Sequence, residues 1–356
     1  MALRYLADFT KPSTIQTSGV NGIFCSRSGV NSYSVNQAGQ LIYDPANTLR
    51  FRSIFDDKTQ SYYNGLLVEP AATNLLLYSE PSGWSNTGYV YTQNLTLTTG
   101  VYQFSVILTS SVGDGMFPTF MLNSVSQTDG RDLGQFSYGS LFCAKVSYDI
   151  TIVGTQTCTF TLTTSSTTSF TLAQVEAGSQ PTSSIPTAGS TATRNADVIY
   201  INLYQSGYQN WFNKNQGTFL FAGCANLLTV KENCVYLRNV AGTGDLLNLG
   251  ISRNPTLAQT AAINSYTDYT FFAACDNPGQ QFINGMSYRS AQQFTALNGR
   301  FPLTPSTQTA AFDFSTCNRL WIGSEAGSSN FFNGIITRLS YYDAAFSQQD
   351  LIMNTK

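Results

Sequence analysis

Hydrophobic and polar residues alternate with period two through much of the chain, the spacing of β-strands that turn one face to a core. In VYQFSVIL, Tyr102, Phe104, Val106 and Leu108 share one face and Gln103 and Ser105 the other. KVSYDITI aligns Val146, Tyr148, Ile150 and Ile152, and TCTFTLTT aligns Cys158, Phe160 and Leu162 between threonines. Turn-forming runs separate them: TTG at 98–100, VGDG at 112–115 and TDGRD at 128–132. Residues from about 84 to 180 therefore read as an antiparallel β-sandwich or jelly roll with one wet face. The DGRD run reads as a polar hairpin turn with an internal ion pair.

A second β-rich block follows. GTFLFAG turns Phe219 and Phe221 inward, DYTFFAACD reads as a strand, and QQFINGMSYR reads as a hairpin turning at Asn284-Gly285. RLWIGSE and NGIITRLSYYD put Leu320 with Ile322, and Ile335 with Leu339 and Tyr341, towards a core. Ser347 and Asp350 stand at capping-box spacing before LIMN, which predicts one short terminal helix. The first eighty residues are broken by Gly39, Pro45, Gly65 and Pro70 and read as an extended arm. Its apolar spots, Leu66 to Val68 and Leu75 to Leu77, would pack on a neighbouring sandwich or another subunit. The expected class is all-β: an arm over 1–80, a jelly roll over 81–200 and a second sandwich over 201–356.

Composition narrows the function. The 356 residues suit two or three structural units. Lys+Arg 18 against Asp+Glu 20 leaves a net charge of -2, with no electrostatic basis for holding nucleic acid or an anionic membrane. No apolar run reaches about eighteen residues and Met1 opens no signal-peptide pattern, so synthesis in the cytoplasm without membrane insertion is expected. Seven cysteines, scattered singly, read as small buried hydrophobes rather than a disulfide framework. With no histidine, Ser-His-Asp triads, Cys-His dyads and His-based zinc sites are excluded. An enzyme would need a carboxylate pair, for which Asp129, Asp132, Asp313 and Glu325 are the acids to consider, yet no spacing singles out two of them. Without an Asp-x-Asp-x-Asp-Gly loop, no metal is expected, and no cofactor.

A sugar site needs an aromatic platform flanked by amide and carboxylate groups. The candidates are Tyr204, Tyr208 and Trp211 in LYQSGYQNWFNKN, and Trp321 with Glu325 and Asn330. Trp321 lies inside a strand pattern, which favours a core role; Tyr208 and Trp211 lie in a Gly- and Asn-rich link. The stretch QVEAGSQPTSSIPTAGSTATRNADVIYI, residues 174–201, carries only three charges, Glu176, Arg194 and Asp197. With Pro181 and Pro186 holding an extended crossing, it reads as a junction that fixes two modules against each other.

Three stretches resemble bacteriophage virion proteins. GLLVEPAATNLLLYSE, followed by Trp84, resembles a phage motif with a Gly-Leu-Leu-Val-Glu start and a Ser-Glu end, and QVEAGSQPTSSIPT with TRNADVI is similar to the segment closing a carbohydrate-binding-module-like jelly roll in tail-fibre, spike and decoration proteins. The chain departs from the commonest forms at Ala71-Ala72, where a charged run is usual, and at Ser184, where Tyr is usual. LWIGSEAGSSNFFNGIITRLSYYDAAFSQQDLI resembles the end of a concanavalin-A-like or laminin-G-like sandwich. The resemblance implies a non-enzymatic structural protein on the virion surface, as fibre, spike, head fibre or capsid decoration. Its implied partners are copies of itself as a homotrimer, other capsid, neck or tail proteins, and host cell-surface glycans. A dedicated glycan-binding receptor protein of a tail fibre, or a polysaccharide depolymerase with a carboxylate pair, are the alternatives.

Overall fold

The computed structural model describes residues 2–15, 22–56, 61–111, 118–203, 211–225, 232–238, 240, 246–252, 268–274, 281–289, 292–300, 314 and 317–356. The described residues are nearly all β, with two single-turn 3-10 segments, Pro12–Thr14 and Pro81–Gly83, and one short C-terminal α-helix. Among the described residues every pairing of two strands is antiparallel except Leu246–Ser252 with Asp268–Ala274.

Residues 85–177 form one sandwich. Its first sheet is ordered Arg131–Tyr138, Leu141–Ile152, Gly100–Ser110, Thr168–Ala177. The facing sheet is ordered Val125–Gln127, Thr119–Leu122, Gln156–Thr163, Val90–Leu97, Ser85–Thr87. The alternating residues read from the sequence are buried between them, with the Phe104 and Phe120 rings stacked at 4.3 Å. The opposite face is not wet beyond the start of the Gly100–Ser110 strand: Val101 is exposed, but Gln103, Ser105 and Ile107 are buried as well. Ile107 packs with Leu172, Phe136, Cys143 and Leu41, because the hairpin of Ser32–Val35 and Leu41–Asp44 covers this side and Tyr33 bridges to Ser184.

The second sandwich draws on both ends of the chain. One sheet runs Gln292–Leu297, Gln281–Arg289, Gln216–Ala225, Gly334–Tyr342, Ser61–Val68, Phe51–Asp56, with Leu3–Asp8 also on Gly334–Tyr342. The other runs Phe24–Ser26, Val198–Asn202, Arg319–Ile322, Glu232–Arg238, Leu246–Ser252, Asp268–Ala274. A shared core of Phe9, Leu66, Val68, Ile201, Phe219, Leu320 and Tyr341 fills the space between. Hydrogen bonding thus crosses the divisions expected at residues 80 and 200. The expected extended arm supplies strands to this sandwich, because Leu66, Leu67 and Val68 gain burial by pairing with Ile336, Ile335 and Gly334. Glycine permits the approach: a Cβ on Gly65 would lie 2.3 Å from the Ile336 carbonyl oxygen. The 85–177 sandwich is therefore an insertion, and its entry and exit are tied where Ala72–Asn74 pairs with Ala192–Arg194.

Three local expectations change. Asn284-Gly285 is no turn: Gln281–Arg289 runs straight through it, Asn284 donates to the Gly250 carbonyl at 2.8 Å, and Gly285 leaves room for Leu220, Leu351 and Thr355. In Gly334–Tyr342 the register slips by one residue opposite Ala222 and Gly223, so Ile336 joins Leu339 and Tyr341 in the main core while Ile335 is buried outside that cluster. Arg131 does not pair with Asp129 or Asp132; it reaches Asp149 at 3.3 Å, while Asp132 accepts from the Gly134 amide, because the run crosses between sheets instead of closing a hairpin. The terminal helix, α1 (Gln348–Asn354), carries the expected capping box between Ser347 and Asp350.

Candidate functional site

The two phrases at residues 65–80 and 174–201 meet at a buried ionic hub between the sandwiches. Strand ends deliver its groups: Arg27 after Phe24–Ser26, Asp44 closing Leu41–Asp44, Glu69 after Ser61–Val68, Arg194 closing Ala192–Arg194 and Asp197 before Val198–Asn202. Arg50 and Arg52 flank the start of Phe51–Asp56, and all seven charges are buried. Arg50 is the centre. It contacts Glu69 at 2.8 Å, Asp44 at 3.6 Å and, more closely, Asp197, and donates to the Ser183 hydroxyl. Arg194 lies 3.4 Å from Glu69 and donates to the Pro70 carbonyl; Arg27 lies 3.7 Å from Asp197; Arg52 pairs with Asp44. The Glu69 carboxylate also accepts from the Ser183 amide and hydroxyl, and Asp197 accepts from the Glu69 amide. Burial acts to raise the Glu69 pKa, but Arg50 and Arg194 outweigh it and hold the group at about 2. The Glu69 carboxylate is ionised, and all three hub carboxylates are committed to arginines, an arrangement that fixes geometry.

The rest of the second phrase is bonded onto the hub. Glu176 accepts from the Thr182 amide and hydroxyl and from Gln174, and burial pushes its carboxyl up. Lys145 donates to the Thr182 carbonyl at 2.6 Å, and burial lowers its pKa. The Gln174 side chain accepts from Ile185, while Asn74 donates to the carbonyls of Ala173 and Ile185. Pro181 and Pro186 bracket this run, both half-buried. The structure thus brings Glu176, Arg194 and Asp197 into one connected neighbourhood. Sequence reasoning missed their partners Arg27, Asp44, Arg50, Arg52 and Glu69; the signal was available in TLRFRS, whose paired arginines stand out in a chain only 11% charged.

The expected sugar platforms are placed differently. Trp211 is 7% exposed, stacked on Tyr5 at 4.8 Å and edge-on to Tyr341, so it is core. Tyr204 and Tyr208 lie outside the described residues, as does Asp313. Trp321 is 3% exposed, edge-on to Tyr236, with Arg319 over it. Glu325 and Asn330 are bonded to each other across a tight turn that also binds Ser329, which occupies the groups proposed to hold sugar hydroxyls. The rings are buried because each sits on an inward strand position or against one.

A recess of about 310 Å³ opens where the two phrases reach the surface. Tyr78, Glu80, Ser82 and Gly83 line one side and Pro186 and Thr187 the other. Ser79, between Tyr78 and Glu80, accepts from the Thr187 amide at 3.0 Å and fixes the two sides together.

No protein-family model matches the sequence, and no curated protein matches it. Among solved structures, the chain is similar to the CBM40 of a Ruminococcus gnavus IT-sialidase, with a TM-score of 0.32 and 17% identity over 40% of this chain and 84% of that one. The same module bound to alpha2,3 sialyllactose gives 0.31 and 16% over 40% and 82%, and bound to alpha2,6 sialyllactose 0.31 and 15% over 40% and 84%.

Proposed function

We propose that this chain is a non-enzymatic structural protein of a bacteriophage virion, exposed on the particle surface as a fibre, spike or decoration, with host glycans among its contacts. One observation supports a structural role above others. The conspicuous phrases, about a hundred residues apart in sequence, are bonded to each other through Glu69, Ser183 and Asp197, and Arg50, from outside both phrases, pairs with Glu69 and Asp197 in a buried hub. Residues spent in this way hold modules at a fixed spacing. The resemblance of those phrases to virion proteins supplies the setting, and self-association as a trimer belongs to the same reading. Gold-labelled antibody against this chain, imaged on intact purified particles, tests it. Label at capsid, neck or tail is the expected result; particles free of label would overturn the reading.

A further inference from the structure

We propose that the recess between Tyr78 and Pro186 binds one uncharged pyranose residue of a glycan. This rests on the reading that host glycans are contacted, and names the site and sugar class. The recess is at the small end of ligand pockets, about 300–1,000 Å³, and suits a single ring. Its platform is Tyr78, a residue 40% exposed in a chain that buries all its described tryptophans. The backbone beneath that ring is fixed: the Tyr78 carbonyl accepts from Trp84 Nε1 and Gln93 Nε2, both at 2.9 Å, and the Tyr78 amide donates to Gln93. The ring rests on Gly83 so closely that a Cβ there would meet Tyr78 Cγ at 2.1 Å. A preorganised aromatic face of this kind packs on the apolar face of a sugar at little entropic cost.

Polar groups around the ring are uncommitted. Among the described residues the Glu80 carboxylate and the Ser82 hydroxyl have no hydrogen-bond or ion-pair partner, and both residues are exposed. Thr187, 7% exposed, has a buried hydroxyl without a partner. A carboxylate accepts two sugar hydroxyls at once, and the threonine hydroxyl can complete the set. The same carboxylate repels an acidic sugar, since no arginine or lysine lines the recess.

The test titrates the full chain with the methyl glycosides of glucose, galactose and mannose, and with sialyllactose as the anionic arm, by ligand-observed NMR. At least one neutral glycoside is expected to bind with a Kd of about 1 mM, and sialyllactose more weakly. Tyr78→Ala should weaken binding about tenfold or more and Tyr78→Phe by less than about threefold, while Glu80→Gln costs about fivefold. Circular dichroism should be unchanged in all three, because both side chains are exposed. No neutral glycoside bound at about 10 mM, equal binding by Tyr78→Ala, or a preference for sialyllactose would each overturn the proposal. Particle labelling is independent of these outcomes, so the virion reading stands or falls separately.

Discussion

At Glu69, burial pulls the pKa up and two arginines pull it down, and the arginines win. An ordinary glutamate in the unfolded chain titrates near 4.5, whereas the folded group is held at about 2. The fold therefore gains from the ionised carboxylate above pH 4.5, and that gain drains away as pH falls through 4.5 towards 2. Glu176 works the other way: burial raises its pKa, so acidification relieves it and offsets part of the loss. Urea unfolding of wild type and Glu69→Gln across pH 2 to 5 should show a steeper acid loss in wild type. At neutral pH the variant should be weaker by about 3–5 kcal/mol, since it leaves Arg50 and Arg194 undercompensated. Trp211 gives a second prediction at this scale. As a core ring beside Tyr5 and Tyr341 it should cost about 3–5 kcal/mol on change to alanine, read from the unfolding midpoint, with no effect on sugar binding at Tyr78.

At the scale of elements, the contact between Ser61–Val68 and Gly334–Tyr342 depends on a missing side chain. Gly65→Ala would drive a methyl against the Ile336 carbonyl and the Ile335 side chain, at a cost of about 1–3 kcal/mol in thermal or urea unfolding. The strands of the inserted sandwich were legible in the sequence because one buried face imposes alternation, and Tyr102, Phe104, Val106 and Leu108 announce it directly. The terminal helix was legible for an equally local reason, its capping box. Pairing between Leu66 and Ile336 was not, since nothing near either residue encodes a partner some 270 positions away. Asn284-Gly285 misled because turn propensity is local, while the strand through it is fixed by neighbours on both sides. The hub was half legible: Glu176, Arg194 and Asp197 stood out in a polar phrase, but their partner arginines look like surface residues until the hairpin beside them closes.

For the whole molecule, the insertion makes the second sandwich dependent on the first eighty residues. Leu3–Asp8, Phe24–Ser26, Phe51–Asp56 and Ser61–Val68 are members of its sheets, so a fragment of residues 201–356 should lack a cooperative unfolding transition and expose the apolar edge of Gly334–Tyr342. A sharp transition for that fragment alone, by circular dichroism, would mean that the modules are strung in series. The same weave places the hub charges where two bodies join, each bonded to its neighbours.

The central claim is that these charges hold the two phrases together, and hydrogen exchange measured by mass spectrometry on wild type and Glu69→Gln tests it most directly. Protection should fall together in peptides covering 65–80 and 174–201, which share the hub, while the strands Gly100–Ser110 and Gln156–Thr163 keep theirs. Loss of protection confined to 65–80, with 174–201 unchanged, would contradict the account.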